Sequence, residues 1–394
     1  MISVKQFFIV VILTAGLVQP CAFAAQTGQQ NSRRLAPGTC GPVDPTYVHL
    51  AEQTGGQPMF LQPSEMAAAG HLMGEMTSSD ALLYATSHLG GKASEYPVPI
   101  DTAVKRVTFS LSFDAPGTKM TILRPSRATV ASGEAGVESS DWTCGRIVSI
   151  GSPEKGNWHV QLSGTGRFWL RATAQSDLYI LSAQFVRLGG RIGHEGYFKI
   201  PGQPIAGREQ TVQATVSGAL RSADFRLVSA VGDTIQPVAM KQESSDPEDH
   251  EFFGSLTLPR QPFRLAVSGL DAEGLPFQRI YLTQFRATTI EIDPINKFED
   301  LHAGASSTLK FLVHNFGEGA KFHLLAVNNR GSIIPTDPAD VEIAAGGSVE
   351  IRVDLTVPRE TAPGTGVTVN ITVTSATDPD IHNATSVELS VVGP

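Results

Sequence analysis

Residues 40–61 read CGPVDPTYVHLAEQTGGQPMFL, and this stretch begins a short helical opening that precedes a long β-rich remainder. Asp44-Pro45 supplies an N-cap with proline at the first helical position, and Thr54-Gly55-Gly56 stops the helix, so one short helix is predicted between them. Gln57 to Leu61 has the length and content of a strand. Pro63-Ser64-Glu65 then opens a second helical stretch, rich in Ala and Met, running to about Met76.

Upstream, Lys5 precedes the apolar run Phe7 to Val18, and Ala22-Phe23-Ala24 offers small residues for signal-peptide cleavage, so residues 1–24 read as an export signal. The run falls short of the roughly 20 residues a bilayer-spanning helix needs, and no membrane span is expected. Val18-Gln19-Pro20 before Cys21 argues against a lipoprotein signal. Residues 25–38, AQTGQQNSRRLAPG, are polar and aperiodic and read as a disordered leader.

From Ala81 onward the pattern is that of strands. Ala81 to Thr86, Val107 to Phe113, Lys119 to Leu123, Trp158 to Leu162 and Phe168 to Ala172 are short β-prone runs between Gly, Pro, Ser and Asp clusters. Thr211 to Val216, Phe225 to Val228, Phe263 to Ser268 and Arg279 to Phe285 form a second set. Ser307 to His314, Lys321 to Val327, Ser348 to Val357, Val367 to Thr374 and Ser386 to Val392 form a third. Regular short strands of this kind predict serial β-sandwiches, with joints at Leu188 to Pro204 and Ile290 to Phe298.

The formal charge of -8 gives no attraction to nucleic acid or to anionic lipid. With Cys21 removed alongside the signal, Cys40 and Cys144 are left, and an oxidising compartment favours a disulfide between them over two buried thiols.

In Gly156-Asn157-Trp158-His159-Val160-Gln161-Leu162 a turn is followed by Trp158, Val160 and Leu162 on one face, which places Trp158 in a core. Trp169 alternates with Phe168 and Leu170 and points the other way, toward a second packed layer or toward solvent; if exposed, it is the binding candidate for a sugar or a partner. No HExxH, GxSxG or Walker loop occurs, and no catalytic residue, cofactor site or metal site is expected. His194-Glu195 reads as linker, and the acidic run Asp246 to Glu251 reads as a hairpin turn rather than a calcium loop. Asn370-Ile371-Thr372 and Asn383-Ala384-Thr385 match the glycosylation pattern, whose use depends on a eukaryotic secretory route.

The opening stretch resembles the last helix and strand of a von Willebrand factor A domain whose front is missing, and the DxSxS loop of that family's metal-dependent adhesion site is absent. Across Cys40 to about Thr288 the chain resembles hemicentin and its relatives in the region after the A domain. The residues that carry this are YVHLAEQTGGQ from Tyr47, IDTAVKRVTFSLS from Ile100, PEKGNWHV from Pro153 and PFQRI from Pro276. The resemblance implies a remnant at 39–94, a galactose-binding-like jelly roll at 95–190 and an immunoglobulin-like sandwich at 191–289, with no implication that sugar is bound. Residues 290–394 resemble the immunoglobulin-like modules of bacterial secreted proteins through His314-Asn315-Phe316-Gly317, Gly346-Gly347-Ser348-Val349 and Thr356-Val357-Pro358.

The expected fold is therefore mainly β, a jelly roll and two immunoglobulin-like sandwiches behind a short α/β remnant. The expected function is that of a secreted or periplasmic, non-enzymatic binding or structural protein of the matrix or adhesion type, meeting an extracellular or periplasmic protein through sandwich edges and loops. A carbohydrate-binding module using the jelly roll is the alternative, and a hydrolase with an unrecognised loop site is a third class.

Overall fold

The computed structural model describes residues 40, 45–62, 64–76, 80–190, 193, 195–243, 248–295, 300–329 and 331–393. The expected export signal, the leader, the Asp44 cap, His194 and the start of the Asp246 run lie outside them. The chain divides into two compact units that alternate along the sequence, one comprising 1–184, 212–255 and 262–285, the other 185–211, 256–261 and 286–394.

The first unit is built on a sandwich of eight strands: β1 (Leu83–Gly90), β2 (Ser94–Ile100), β3 (Val104–Phe113), β4 (Lys119–Leu123), β5 (Val137–Trp142), β6 (Gly145–Gly151), β7 (Gly156–Ser163) and β8 (Thr165–Ser176). One sheet has the order β1-β8-β3-β6-β5 and the other β2-β7-β4. Trp158, Val160 and Leu162 of β7 are fully buried, as their spacing predicts, against Val107, Phe109 and Leu111 of β3. The rings of Phe109 and Trp158 lie 6.3 Å apart.

Strand β3 is buried on both faces. Val107, Phe109 and Leu111 fill the sandwich core, while Thr108, Ser110 and Ser112, alternating with them, are buried on the outer face of the five-stranded sheet. The layer over that outer face is the N-terminal segment, comprising α1 (Pro45–Gln53), α2 (Met66–Met73) and one 3-10 turn (Gly74–Met76). The helix expected to run from Pro63 thus ends in a tighter turn, and Gln57 to Leu61, expected as a strand, belongs to none: the Gln57 side chain and the Pro58 carbonyl bond to the face of the five-stranded sheet instead.

A further sheet of this unit has the order Asp80–Ala81, β12 (Pro276–Tyr281), β11 (Arg264–Asp271), β9 (Leu220–Val228) and β10 (Thr234–Val238). The expected run Ala81 to Thr86 is therefore split between two sheets, with buried Leu82 at the corner. Buried Tyr84, Ala266, Ile280 and Leu282 pack together where the two sheets meet.

The second unit contains β13 (Ile290–Pro294), β14 (Ser306–Asn315), β15 (Ala320–Asn328), β16 (Ser348–Thr356), β17 (Gly366–Ser375) and β18 (His382–Val392). One of its sheets has β13, β14 and β16 adjacent in that order, and the other has β18, β17 and β15 adjacent. Phe311 and Val313 of β14, Ile351 and Val353 of β16, and Ile371 and Val373 of β17 are buried at a period of two, a half-buried antiparallel pattern on each sheet. Ile290 to Pro294, within the joint expected at Ile290 to Phe298, forms an edge strand, and an edge tolerates Pro294 because one side of the ladder is open.

Candidate functional site

The most elaborated polar surface in the first unit is the outer face of the five-stranded sheet. Register places Thr108 opposite Thr173 and Ser149, Ser110 opposite Arg171, and Ser112 opposite Trp169. Such a row of hydroxyls is costly to bury unless each finds a partner. The N-terminal segment supplies those partners at its centre. Gln57 Nε2 donates to the carbonyls of Trp169 at 2.9 Å and Ser110 at 3.4 Å, and Gln57 Oε1 accepts from Ser110 Oγ at 2.7 Å. Ser112 Oγ donates to the Pro58 carbonyl at 2.5 Å.

Two carboxylates fasten the helices on either side. Glu52 of α1 accepts from Arg167 Nη2 at 2.6 Å and from Trp169 Nε1 at 2.7 Å. Glu65, just before α2, accepts from the Gln62 amide at 2.8 Å with one oxygen, and from the Thr143 amide and hydroxyl at 2.8 and 2.6 Å with the other. Burial alone raises the Glu65 carboxyl, but these donors outweigh it and hold the group below its ordinary value. A disulfide joins Cys40 to Cys144, next to Thr143, with a Cα–Cα distance of 5.4 Å.

Trp169 is 3% exposed, with Phe60 edge-on at 5.5 Å and Arg167 over its ring at 5.0 Å. Its alternation had left a packed layer and solvent both open; the ring faces the packed layer, so it presents no stacking surface. Asn370 is exposed and accepts from Ser386 Oγ at 2.6 Å, whereas Asn383 is buried and donates to the Ile290 carbonyl at 2.7 Å. Glu251 accepts from Gln213, and His250 Nδ1 lies 3.0 Å from Gln242 Nε2. Among the described residues no three His, Cys, Asp or Glu side chains gather to hold a metal, and no helix is long and apolar enough to cross a membrane.

A second constellation that sequence reasoning missed joins the eight-stranded sandwich to the sheet of β11 and β12. Asp101 and Arg279 form a fully buried, bidentate pair at 2.8 and 3.2 Å. Arg279 also donates to the Leu178 carbonyl, the Gln278 carbonyl and Ser176 Oγ, which completes its hydrogen bonding. Buried Asp271 accepts from the Thr102 amide and hydroxyl at 2.9 and 2.7 Å and from the amides of Glu273 and Leu275. Burial raises its carboxyl, but those four donors together hold it below the usual carboxylate value.

Several exposed apolar side chains in the second unit lie on or beside sheet edges. Gly196–Lys199 pairs with Val186 to Gly189, and this hairpin carries Leu188 at 66% and Phe198 at 54% exposure. Ile333, 73% exposed, sits on the two-residue strand at the other end of that unit's six-stranded sheet from Leu301–His302. A cleft of about 250 Å³ is lined by Arg187, Gln203, Glu209, Glu291 and Asp293 among others. Burial and neighbouring Asp293 push the Glu291 carboxyl up.

Residues 81–177 match the family described as Hemicentin galactose-binding domain-like, and residues 294–393 match the one described as VWA7 Ig-like domain. Hemicentin-1 of Mus musculus is 26% identical over 249 residues, covering 61% of this chain and 4% of the relative. Hemicentin-1 of Homo sapiens is 25% identical over 245 residues, with the same coverage of each chain. The chain thus resembles hemicentin over more than half its own length while spanning about 4% of the relatives it matches. Among solved structures, the PapD-like domain 7 of human CEP192 shares 18% identity, covering 27% of this chain and 86% of that one, at a TM-score of 0.21. The ectodomain of mouse nectin-like molecule 4 shares 11%, covering 77% and 96%, at 0.19; likeness at this level carries no argument.

Proposed function

We propose that this chain is a secreted, non-enzymatic protein of the adhesion or extracellular-matrix type, which binds other extracellular proteins through sheet edges and the loops at the ends of its sandwiches. The observation that carries the reading is the hemicentin-like stretch across 61% of the chain, joined to a separate Ig-like match at 294–393. A chain of sandwiches with apolar residues on open edges suits strand addition, in which main-chain hydrogen bonds supply affinity and side-chain pockets supply choice. A stable contact of this sort buries roughly 1,200–2,000 Å² in total.

The chemistry of the conspicuous polar groups supports the same reading. Glu52, Glu65, Asp101 and Asp271 each accept hydrogen bonds that hold the fold together. The carbohydrate alternative rested on an exposed Trp169, and that ring is covered. Affinity capture of extracellular proteins on the immobilised mature chain is the test. A specific partner whose retention falls when Leu188 and Phe198 are changed to Ser supports the reading. No partner above background, together with turnover of a defined substrate, discards it.

A further inference from the structure

Among the described residues three arginines are buried in the first unit, and the fold treats them unequally. Arg279 has its carboxylate and a full set of acceptors. Arg171 and Arg264 do not. Arg171, 1% exposed, donates through Nη2 to the Gly55 carbonyl, and its Nε has no acceptor among the described residues. Arg264, 0% exposed, donates through Nε to the Leu282 carbonyl at 3.2 Å, and both its Nη1 and Nη2 lack one. Both guanidinium groups lie over the same buried ring, that of Tyr84, with Arg264 at 3.9 Å and Arg171 at 5.6 Å from its centroid.

The place is closely built. Three segments converge on it: the loop after α1, β8, and the sheet of β11 and β12. Gly55 holds φ +74°, and a side chain there would meet the Leu282 carbonyl oxygen at 1.9 Å. Two like charges in a water-excluded site cost several kcal/mol each unless they are compensated. A ring face recovers roughly 2 kcal/mol when desolvated, and a carbonyl neutralises no charge. Losing the proton offers no escape at neutral pH: burial, and then the charge of Arg264 against the favourable influence of Tyr84, lowers Arg171 only to about 10. Water would satisfy the free N–H groups and leave both charges in place.

We propose that a small inorganic monovalent anion, of halide size, binds beside Tyr84 as the counter-ion of Arg264 and Arg171. It accepts from Arg264 Nη1 and Nη2, joins the remnant to both sheets, and makes the packing of this unit dependent on anions.

The test uses the intact secreted chain. Thermal unfolding is followed while chloride or bromide replaces gluconate at constant ionic strength. The proposal expects a midpoint that rises and saturates with halide, and an Arg264→Met variant whose midpoint no longer responds. Because that variant can fail to fold, bromide-soaked crystals of the unaltered chain give the second measurement: an anomalous peak within hydrogen-bonding distance of Arg264. Equal midpoints in halide and gluconate overturn the proposal, as does an ordered water without anomalous signal. A peak with no halide dependence of the midpoint marks an adventitious ion only, and also overturns it.

Discussion

At the scale of single residues, the joint between the eight-stranded sandwich and its neighbouring sheet depends on fully satisfied buried charge. Changing Asp101 to Asn strands the Arg279 guanidinium, and a loss of about 3–5 kcal/mol is expected in chemical denaturation. Replacing both partners by apolar residues of similar volume is expected to cost much less, because no charge is then left alone. Asp271 gives a pH signature. An unfolded aspartate titrates near about 3.9, and the folded group lies below that value. Its contribution is therefore fully present above the unfolded pKa and disappears as pH falls through the folded one. Denaturation midpoints measured from pH 7 downward are expected to fall in the acid range, and Asp271→Asn to start lower at pH 7 and fall less steeply. These residues were hard to see in the sequence because arginine is ordinarily read as solvent-facing. The available signal was position: Arg171, Arg264 and Arg279 each interrupt an apolar strand, in WLRA, FRLAV and QRIYL.

At the scale of elements, alternation made most of the strands legible, since inward residues at a period of two are what a sandwich requires. Lys119 to Leu123 coincides with its predicted run, and the strands containing Trp158 and Phe311 extend theirs by one or two residues at each end. Strand Ser94–Ile100 escaped because Pro97 and Pro99 disguise it; it lies on the edge of its sheet, where missing amide donors are tolerated. The N-terminal segment was legible as two helices, but the strand expected between them at Gln57 to Leu61 does not form, and the surface the segment covers was not legible. Its docking residue, Gln57, looks like any loop amide until Ser110 and Trp169 stand opposite it. Gln57→Ala removes the partner of buried Ser110 Oγ, and a loss of about 1–3 kcal/mol is expected. The Cys40–Cys144 disulfide closes a sequence separation of 104 residues. Removing it with Cys40→Ser and Cys144→Ser is expected to lower unfolding free energy by about 2–5 kcal/mol.

At the scale of the whole molecule, the β-sandwich class was readable from alternating strands and their turns, whereas the compact units interleave along the chain, which a reading of consecutive runs does not reveal. The resemblance to hemicentin put a galactose-binding-like region at 95–190, and the family match spans 81–177; a separate resemblance to Ig-like modules of bacterial secreted proteins put an immunoglobulin-like end at 290–394, and the family match spans 294–393. What could not be read was the status of the stretch before them. Two short helices joined by a loop have no core of their own, and sequence alone cannot say what they rest on. In the fold, Met59, Phe60, Leu61 and Met76 share one hydrophobic core with Phe109, Trp158 and Trp169. The N-terminal segment is thus a layer of the first unit. Hydrogen exchange read by mass spectrometry, with the disulfide intact, tests this most directly. Peptides spanning Ala51 to Leu61 are expected to exchange as slowly as those of Val104–Phe113. Exchange of that segment at the rate of an unstructured chain, while Val104–Phe113 stays protected, would contradict it.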